Sequence, residues 1–184
     1  MSDRLAKAIT IRGWMDTLEL EYLERIATGC KLVIELGAFC GRSSQVLAAA
    51  DELVCVDLWG KTNWELEDFA TSNFAENVDI WSEWERNKTP NMVARRGDLY
   101  DSHFVYSLIA DYHGRADVVF IDANHGMQSV CSDIILAGHL VKPGGIICGH
   151  DYCAAFPSVI EAVEKECQAT FQMIHGTTIW SVQT

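Results

Sequence analysis

The chain has 184 residues, of which 49% are hydrophobic, and this length and composition suit one globular domain and exclude a disordered protein. Its formal net charge is −12, which excludes the basic face that nucleic-acid-binding proteins present. No uncharged apolar run approaches the roughly 20 residues that a helix needs to cross a bilayer. Neither nucleic acid nor a membrane is therefore an expected partner.

The cysteines and the N-terminus bear on the cellular compartment. The seven cysteines form no C-x-x-C pair and no zinc-binding spacing. Cys55 and Cys148 lie inside apolar runs, where a thiol is usually a small core residue. The first ten residues lack the apolar core of a signal peptide. We therefore expect a cytoplasmic protein with reduced thiols.

Helices and strands are predicted to alternate along the chain. Asp16 can cap a first helix, and Glu19 is placed to complete a capping box from the third position. Two glycines at 37 and 41 separate the first strand from the next helix. The predicted helices cover residues 17–27, 45–50, 102–112, 128–140 and 157–167. The predicted strands cover residues 31–36, 53–58, 92–95, 117–121, 145–148, 171–175 and 178–182.

This order predicts an α/β fold with three layers: a doubly wound, mostly parallel seven-stranded sheet with an antiparallel C-terminal strand. Residues 1–184 form a single domain in this prediction. Residues 59–90, rich in acid and tryptophan, interrupt the alternation as a helical insertion. They are interpreted as a packing cluster against the sheet, with a lid or a homo-oligomer contact as alternatives.

The segment KLVIELGAFCGRSS, residues 31–44, has the pattern of a nucleotide-binding turn: a buried strand, a glycine turn and a helix start. The glycines are spaced as Gly-x-x-x-Gly, whereas binding of a pyrophosphate favours Gly-x-Gly-x-x-Gly. Asp57 ends the next strand, where a carboxylate can accept ribose hydroxyls. The pattern thus favours an adenosine ligand without a diphosphate, and S-adenosylmethionine (SAM) is the expected cofactor.

Acidic residues are predicted at the carboxyl ends of successive strands. In a doubly wound sheet these ends share one edge, and ligands bind along it. Several acidic side chains at one edge would not serve a purely structural role well. They suit a cationic cofactor, and SAM carries a sulfonium and an ammonium group. The acids are Glu35, Asp57, Asp98, Asp122 and Asp151.

Residues 117–152, DVVFIDANHGMQSVCSDIILAGHLVKPGGIICGHDY, resemble the second half of class I SAM-dependent methyltransferases. They are most similar to the small bacterial type that carries I-D-x-x-H and G-G-x-I-x-G-H-D-Y, and the resemblance extends over about residues 15–184. It implies a Rossmann-like methyltransferase fold. Relatives of this type are mostly O-methyltransferases, often acting on sugars or other secondary metabolites, and some use a divalent metal.

The resemblance gives the residues of the first motif roles in cofactor binding. Glycines at 37 and 41 would allow close backbone approach to the methionine moiety, and the helix start would lie near its carboxylate. Glu35 would hold the ammonium group, directly or through water, and Asp57 would accept both ribose hydroxyls. Leu58 or Trp59 would flank the adenine, and Asp98 would face its edge. The expected cofactor-binding residues are Glu35, Gly37, Ala38, Gly41, Ser43, Asp57, Leu58, Asp98 and Asp122.

The chemistry is expected at the ends of the strands that follow. Asp122 and Asp151, with His150 as a third ligand, would hold Mg²⁺ or Mn²⁺. His125, three residues past Asp122, would be the general base for a small-molecule hydroxyl acceptor, unless it is only a turn residue. His150 stands where metal-using relatives often carry an acid, so a second base is its alternative role.

Two other functions compete with methyl transfer. A SAM-binding scaffold or sensor without catalysis would not require a cluster of Asp122, His125, His150 and Asp151. An NAD-dependent oxidoreductase would need a closer approach to a pyrophosphate than this glycine spacing provides. The chain also contains no Tyr-x-x-x-Lys pair.

Overall fold

A computed structural model describes residues 1–60 and 79–184. The helices are α1 (Asp3–Ala8), α2 (Thr17–Ala27), α3 (Arg42–Leu47), α4 (Ile80–Asn87), α5 (Ser102–Tyr112), α6 (Met127–Leu140) and α7 (Pro157–Cys167). The strands are β1 (Leu32–Leu36), β2 (Glu52–Asp57), β3 (Met92–Arg96), β4 (Ala116–Ile121), β5 (Val141–Gly149), β6 (Gln172–Met173) and β7 (Trp180–Gln183).

The strands form one seven-stranded sheet in the order β3-β2-β1-β4-β5-β7-β6. Pairing is parallel from β3 through β5 and antiparallel between β5 and β7 and between β7 and β6. The order reverses between β1 and β4, which is the switch point where ligands bind in such sheets. The predicted fold class is confirmed.

Two apolar clusters cover the two faces of the sheet. One contains buried residues of α1, α2, α3 and α4, and the other contains buried residues of α5, α6 and α7. All five residues of β1 are buried, as expected for a central strand covered on both faces. Among the described residues no helix is long and apolar enough to cross a bilayer.

Most predicted elements agree with the structure to within a few residues, and three do not. The short helix α1, capped by Ser2, was not predicted. Helix α3 begins at Arg42, three residues before the prediction, because Gly41 provides the left-handed turn before it. Strand β5 is longer than predicted and begins at Val141, with a register irregularity opposite β4.

Only part of the predicted 59–90 insertion is described. Its last third contains α4, whose Trp84 is completely buried in the same cluster as Trp59. These rings lie 4.7 Å apart between centroids, and Trp81 lies 5.0 Å from Trp59. This agrees with packing against the sheet. Trp64 lies outside the described residues, and the lid remains a prediction.

Gly37 shows how closely β1 and β4 approach at their carboxyl ends. A Cβ added there would lie 2.1 Å from the carbonyl oxygen of Asp122, and the φ of Gly37 is +93°. Gly29 has a similar φ of +84°, but a Cβ at that position would meet no atom within 4 Å. The two glycines therefore share the backbone strain but not the steric conflict.

We expect Gly37→Ala to lower the free energy of unfolding by about 3 kcal/mol or more, since the added atom forces two strand ends apart. Gly29→Ala should cost only about 1–2 kcal/mol, from its left-handed φ alone. Urea unfolding of both variants measures the difference. Equal losses would show that the close contact at Gly37 relaxes without cost.

Candidate active site

The carboxyl ends of four neighbouring strands, β2, β1, β4 and β5, are aligned by hydrogen bonds just beyond the regular sheet. The N–H of Gly37 donates to Val56 O at 2.8 Å, and the N–H of Asp122 donates to Leu36 O at 2.8 Å. On the other side, the N–H of His150 donates to Ile121 O at 3.1 Å. The predicted site residues after β1, β4 and β5 are thereby brought to one edge.

Asp122, His125, His150 and Asp151 form one cluster at this edge. His125 Nε2 lies 2.7 Å from Asp151 Oδ2 and 4.0 Å from Asp122 Oδ1. His150 Nδ1 lies 3.2 Å from Asp151 Oδ1 and 3.6 Å from Asp122 Oδ1. The sequence predicted these four residues together, and the structure places them in mutual contact.

His150 is the most enclosed member, with 8% of its side chain exposed. Its second nitrogen, Nε2, lies 3.1 Å from Oε2 of Glu19, at the start of α2. Burial would lower the pKa of His150, but the carboxylates of Asp122, Asp151 and Glu19 outweigh it and raise the pKa to about 12. At neutral pH His150 is therefore a buried cation surrounded by three carboxylates.

His125 is more accessible, with 40% of its side chain exposed and its ring 4.6 Å from that of Phe156. Burial acts to lower its pKa, but the contacts with Asp151 and Asp122 raise the pKa above its ordinary value. Burial also acts to raise the pKa of Asp151, yet the two histidines hold it well below its usual range. His125 and Asp151 are thus in close contact at the open side of the cluster, and the pair is ionic only when His125 carries a second proton.

Asp122, His125 and Asp151 fit a divalent cation. Each offers one ligand atom, and these atoms lie within 4.8 Å of one another. Two carboxylate oxygens and one imidazole nitrogen suit Mg²⁺ less than Mn²⁺, which accepts nitrogen readily. His150, predicted as the third ligand, has a carboxylate beside each of its nitrogens. The geometry therefore favours His125 in that place.

The glycine turn differs in detail from its predicted role. The Cβ position of Gly37 points at the backbone of Asp122, and that of Gly41 points at Trp84, 3.2 Å from Cδ1. Both glycines thus make room for protein atoms. These directions do not favour the prediction that the two glycines make room for the cofactor.

Glu35 is completely buried beneath α3 and does not face the edge directly. Its two oxygens accept hydrogen bonds from Ser43 Oγ and Ser44 Oγ, each at 2.5 Å. Burial raises the pKa of Glu35 to about 7, although the serine hydroxyls act in the opposite direction. A direct bond from this carboxylate to an ammonium group, one of the two predicted modes, would need the helix start to open. Contact through water stays a prediction.

Asp57 is half-buried and shapes the glycine turn with its carboxylate. Oδ2 accepts from the N–H groups of Ala38 and Phe39 at 3.0 and 2.8 Å, and Oδ1 accepts from that of Trp59 at 2.7 Å. A carboxylate has about four acceptor positions, so one remains for a ribose hydroxyl where two bonds were predicted.

The remaining predicted cofactor residues lie on the same side of the sheet. Leu58 is 49% exposed at the end of β2, whereas Trp59 is buried and donates its Nε1–H to Phe39 O at 2.8 Å. Asp98 is exposed beyond β3 and accepts from the N–H of Tyr100 at 2.9 Å. Leu58 is therefore available to flank an adenine, but Trp59 is not.

Strained backbone is concentrated at this edge. Phe39, Trp59 and Asp151 have positive φ values of 45°, 39° and 62°. A non-glycine residue in this region costs free energy and persists only where surrounding contacts hold it. In the described part of the chain only Gln168 shares the feature elsewhere.

Glu19 and Thr178 were not predicted as site residues. Glu19 was predicted only as half of a capping box, which the structure confirms, and Thr178 only as a strand residue. One signal could have located Glu19. A helix that leads into the amino end of a parallel strand starts near the opposite, carboxyl edge, so acids in its first turn lie close to the site.

The model of the methyltransferase domain family matches residues 34–152 of this chain. No curated protein matches it in a sequence comparison. The solved structures that are similar to it include three methyltransferases. An O-methyltransferase from Bacillus cereus, solved in complex with SAH, is 14% identical with a TM-score of 0.66, and the alignment covers 100% of this chain and 92% of that one.

TomG is an O-methyltransferase from Streptomyces achromogenes that is involved in tomaymycin synthesis and was solved with SAM. It is 16% identical with a TM-score of 0.65, and the alignment covers 100% of this chain and 91% of TomG. MycE, from the mycinamycin biosynthetic pathway, was solved with Mg, SAH and mycinamycin VI. It is 13% identical with a TM-score of 0.64, and this chain, covered over 99%, spans 54% of MycE. At these identities the likeness shows the fold.

The buried Glu35 makes stability depend on pH. Its pKa rises from an ordinary value of 4.5 to about 7 on folding, so the folded state holds the proton more tightly. The wild type should therefore lose stability relative to Glu35→Gln as the pH rises from about 4.5 to about 7, and the difference should then stay constant. Urea unfolding of both proteins across this range measures it. A difference independent of pH would contradict the burial of an uncharged Glu35.

Proposed function

The chain belongs to the methyltransferase domain family, and we propose that it transfers a methyl group from SAM to a hydroxyl of a small molecule. The observation that carries the proposal is the contact cluster of Asp122, His125, His150 and Asp151. It adjoins the glycine turn because Gly37 packs directly on Asp122. A module that only bound SAM would have no use for a histidine held against a carboxylate beside the cofactor site.

SAM is proposed to bind along the edge formed by the ends of β1, β2 and β3. Asp57 holds the turn after β1 in shape through the N–H groups of Ala38 and Phe39, and it retains capacity for a ribose hydroxyl. Leu58 offers an exposed apolar surface to the adenine, with Asp98 beyond it. The solved O-methyltransferases from B. cereus and S. achromogenes, with SAH and SAM bound, support this choice of cofactor.

We expect Asp57→Ala to weaken SAM binding at least tenfold. The change removes a charge-assisted hydrogen bond of about 1.5–3 kcal/mol and the acceptor that shapes the turn. Asp51→Ala is the control, because Asp51 is exposed at the other edge and pairs with Lys31. Calorimetric titration with SAM measures both variants. Unchanged affinity in Asp57→Ala, or tighter binding of NADH than of SAM by the wild type, would contradict the proposed site.

The chemical step needs an acceptor hydroxyl that loses its proton as the methyl group is transferred from the sulfonium of SAM. His125 is proposed as the base. Its Nε2 faces Asp151 Oδ2 at 2.7 Å, so a proton on Nε2 is shared with that carboxylate and the lone pair is left on Nδ1. Asp151 then stabilises the imidazolium that forms, as a carboxylate does beside a catalytic histidine.

Asp122, His125 and Asp151 are also the residues that would hold a divalent cation. When bound, such an ion would lower the pKa of the acceptor hydroxyl and fix its orientation. His125 would then serve as a ligand of the ion and not as the base. Chelation distinguishes the two roles of His125, because removal of the ion abolishes activity only if His125 acts as its ligand.

His125→Asn should lower kcat by about 10²–10⁴, with SAM affinity nearly unchanged, because the base or ligand is lost while the glycine turn is intact. His139→Asn, exposed on α6, is the control. The measurement is release of SAH across a panel of hydroxylated acceptors, with and without exhaustive chelation. Full activity after chelation would exclude the cation and leave His125 as the base. Full activity of His125→Asn would exclude both roles.

The segment from 59 to 90 is proposed to cover the acceptor side of this edge. Its described part places Trp81 against Arg96, whose guanidinium lies 5.3 Å from the ring centroid. Arg96 also donates to Trp59 O at 2.7 Å, which connects the segment to the end of β3.

Sugars and other secondary metabolites with free hydroxyls are the acceptor class that we propose. The structure of MycE, a methyltransferase from the mycinamycin biosynthetic pathway that was solved with mycinamycin VI, supports this choice of acceptor class.

A further inference from the structure

Glu19 is a buried carboxylate that accepts three hydrogen bonds and lies in close contact with the His150 ring. It lies at the start of α2 and is 4% exposed. Oε1 accepts from the N–H and the Oγ1–H of Thr178 at 3.0 and 2.9 Å. Oε2 accepts from the N–H of Asp16 at 3.0 Å and lies 3.1 Å from His150 Nε2. A helix cap alone would need only the bond to Asp16.

Glu19 also reaches Asp151 through Thr178. The Thr178 hydroxyl donates to Glu19, and its oxygen accepts from the N–H of Asp151 at 3.3 Å. The backbone oxygen of Thr178 accepts from the N–H of Tyr152 at 2.9 Å. The loop that carries His150 and Asp151 is thus held at its imidazole ring and at two of its backbone amides.

This support coincides with backbone strain. The φ of Asp151 is +62°, a value that a non-glycine residue keeps only where its surroundings hold it. The strained residue presents Oδ2 to His125 and Oδ1 to His150. A small shift of this loop would therefore change the contact of Asp151 with His125, the proposed base.

We propose that Glu19 is a positioning residue of the methyl-transfer site: through His150 and Thr178 it holds Asp151 in the orientation that His125 requires. The inference rests on the proposed function for its kinetic consequence but not for its geometry. Glu19 touches neither His125 nor the edge where SAM is placed, so it acts through its neighbours.

The three hydrogen bonds and the contact with His150 explain why a carboxylate is needed at this position. Both oxygens of Glu19 accept, whereas a glutamine amide has one accepting atom and one donating group. Either orientation of an amide would place its NH₂ group against N–H donors, those of Thr178 or those of Asp16 and His150. Glutamine still serves as the third residue of a capping box, so Glu19→Gln tests the positioning role more than the helix cap.

The test compares Glu19→Gln with Asp16→Ala. The second variant removes the other half of the same capping box, the bond from the N–H of Glu19 to Asp16 Oδ1 at 2.9 Å. It keeps the contacts of Glu19 with Thr178 and His150. We expect Glu19→Gln to lower kcat by about 10- to 100-fold with an unchanged KM for SAM. Asp16→Ala should lower the melting temperature by a few degrees and keep kcat.

Equal losses of kcat in the two variants would overturn the proposal, since they would trace to the start of α2. An unchanged kcat in Glu19→Gln would overturn it as well. Thr178→Val is the second route, because it removes the hydroxyl between Glu19 and Asp151 and keeps Glu19 beside His150. It should lower kcat by a smaller factor, and full activity in this variant would show that the link to Asp151 has no role.

A readout independent of turnover is the proton resonance of the His150 ring N–H groups, which hydrogen bonding to a carboxylate shifts downfield. At one fixed pH we expect the Nε2–H resonance in the wild type and in Asp16→Ala, and its loss or shift in Glu19→Gln. An unchanged resonance in Glu19→Gln would contradict the contact. If the wild type transfers no methyl group to any acceptor, the proposed function fails, and this resonance still decides whether Glu19 holds His150.

Discussion

The balance of charge around His150 determines the arrangement of the carboxyl edge. Asp122, Asp151 and Glu19 come from three separate elements, and their mutual repulsion would drive them apart in the absence of a cation. The imidazole of His150, with a raised pKa of about 12, supplies that cation from within the chain. Contact with His150 and hydrogen bonds from backbone N–H groups outweigh burial and lower the pKa of Glu19 to about 2. A buried charge is stable only when it is paired in this way.

The surroundings of His150 and His125 give these two histidines different roles. His150 has a carboxylate beside each nitrogen and is almost fully enclosed, so it serves as a fixed charge. His125 has a single close partner and a partly exposed ring, so it can exchange a proton or bind an ion. The same residue type thus takes two roles, and the number of neighbouring carboxylates decides between them.

Periodicity predicted the order of elements and the sheet, because β1, β2 and β4 carry strong apolar patterns and α2 begins with a capping box. The same patterns also predicted which residues share the carboxyl edge, since topology fixes this once the strands are known.

The sequence-based prediction failed where the outcome depends on the direction of a side chain. Glu35 stands at a strand end in sequence, yet it turns under α3 towards Ser43 and Ser44. The Asp57 carboxylate accepts hydrogen bonds from backbone N–H groups, and no spacing rule predicts these bonds. The part played by Glu19 depends on a contact with Thr178, 159 positions away, and a local pattern carries no trace of it.

That same separation affects when the site can form during synthesis. A chain is synthesised from its N-terminus at roughly 5–20 residues per second, so the residues of β1, β2 and β4 are made before residue 178. The loop of His150 and Asp151 reaches its final position only when β7 pairs with β5 and delivers Thr178 to Glu19. A nascent chain that ends before β7 therefore lacks the contact that holds this loop in the geometry for chemistry. Catalytic competence becomes one of the latest events of folding, because its supporting contacts have the longest reach in the sequence.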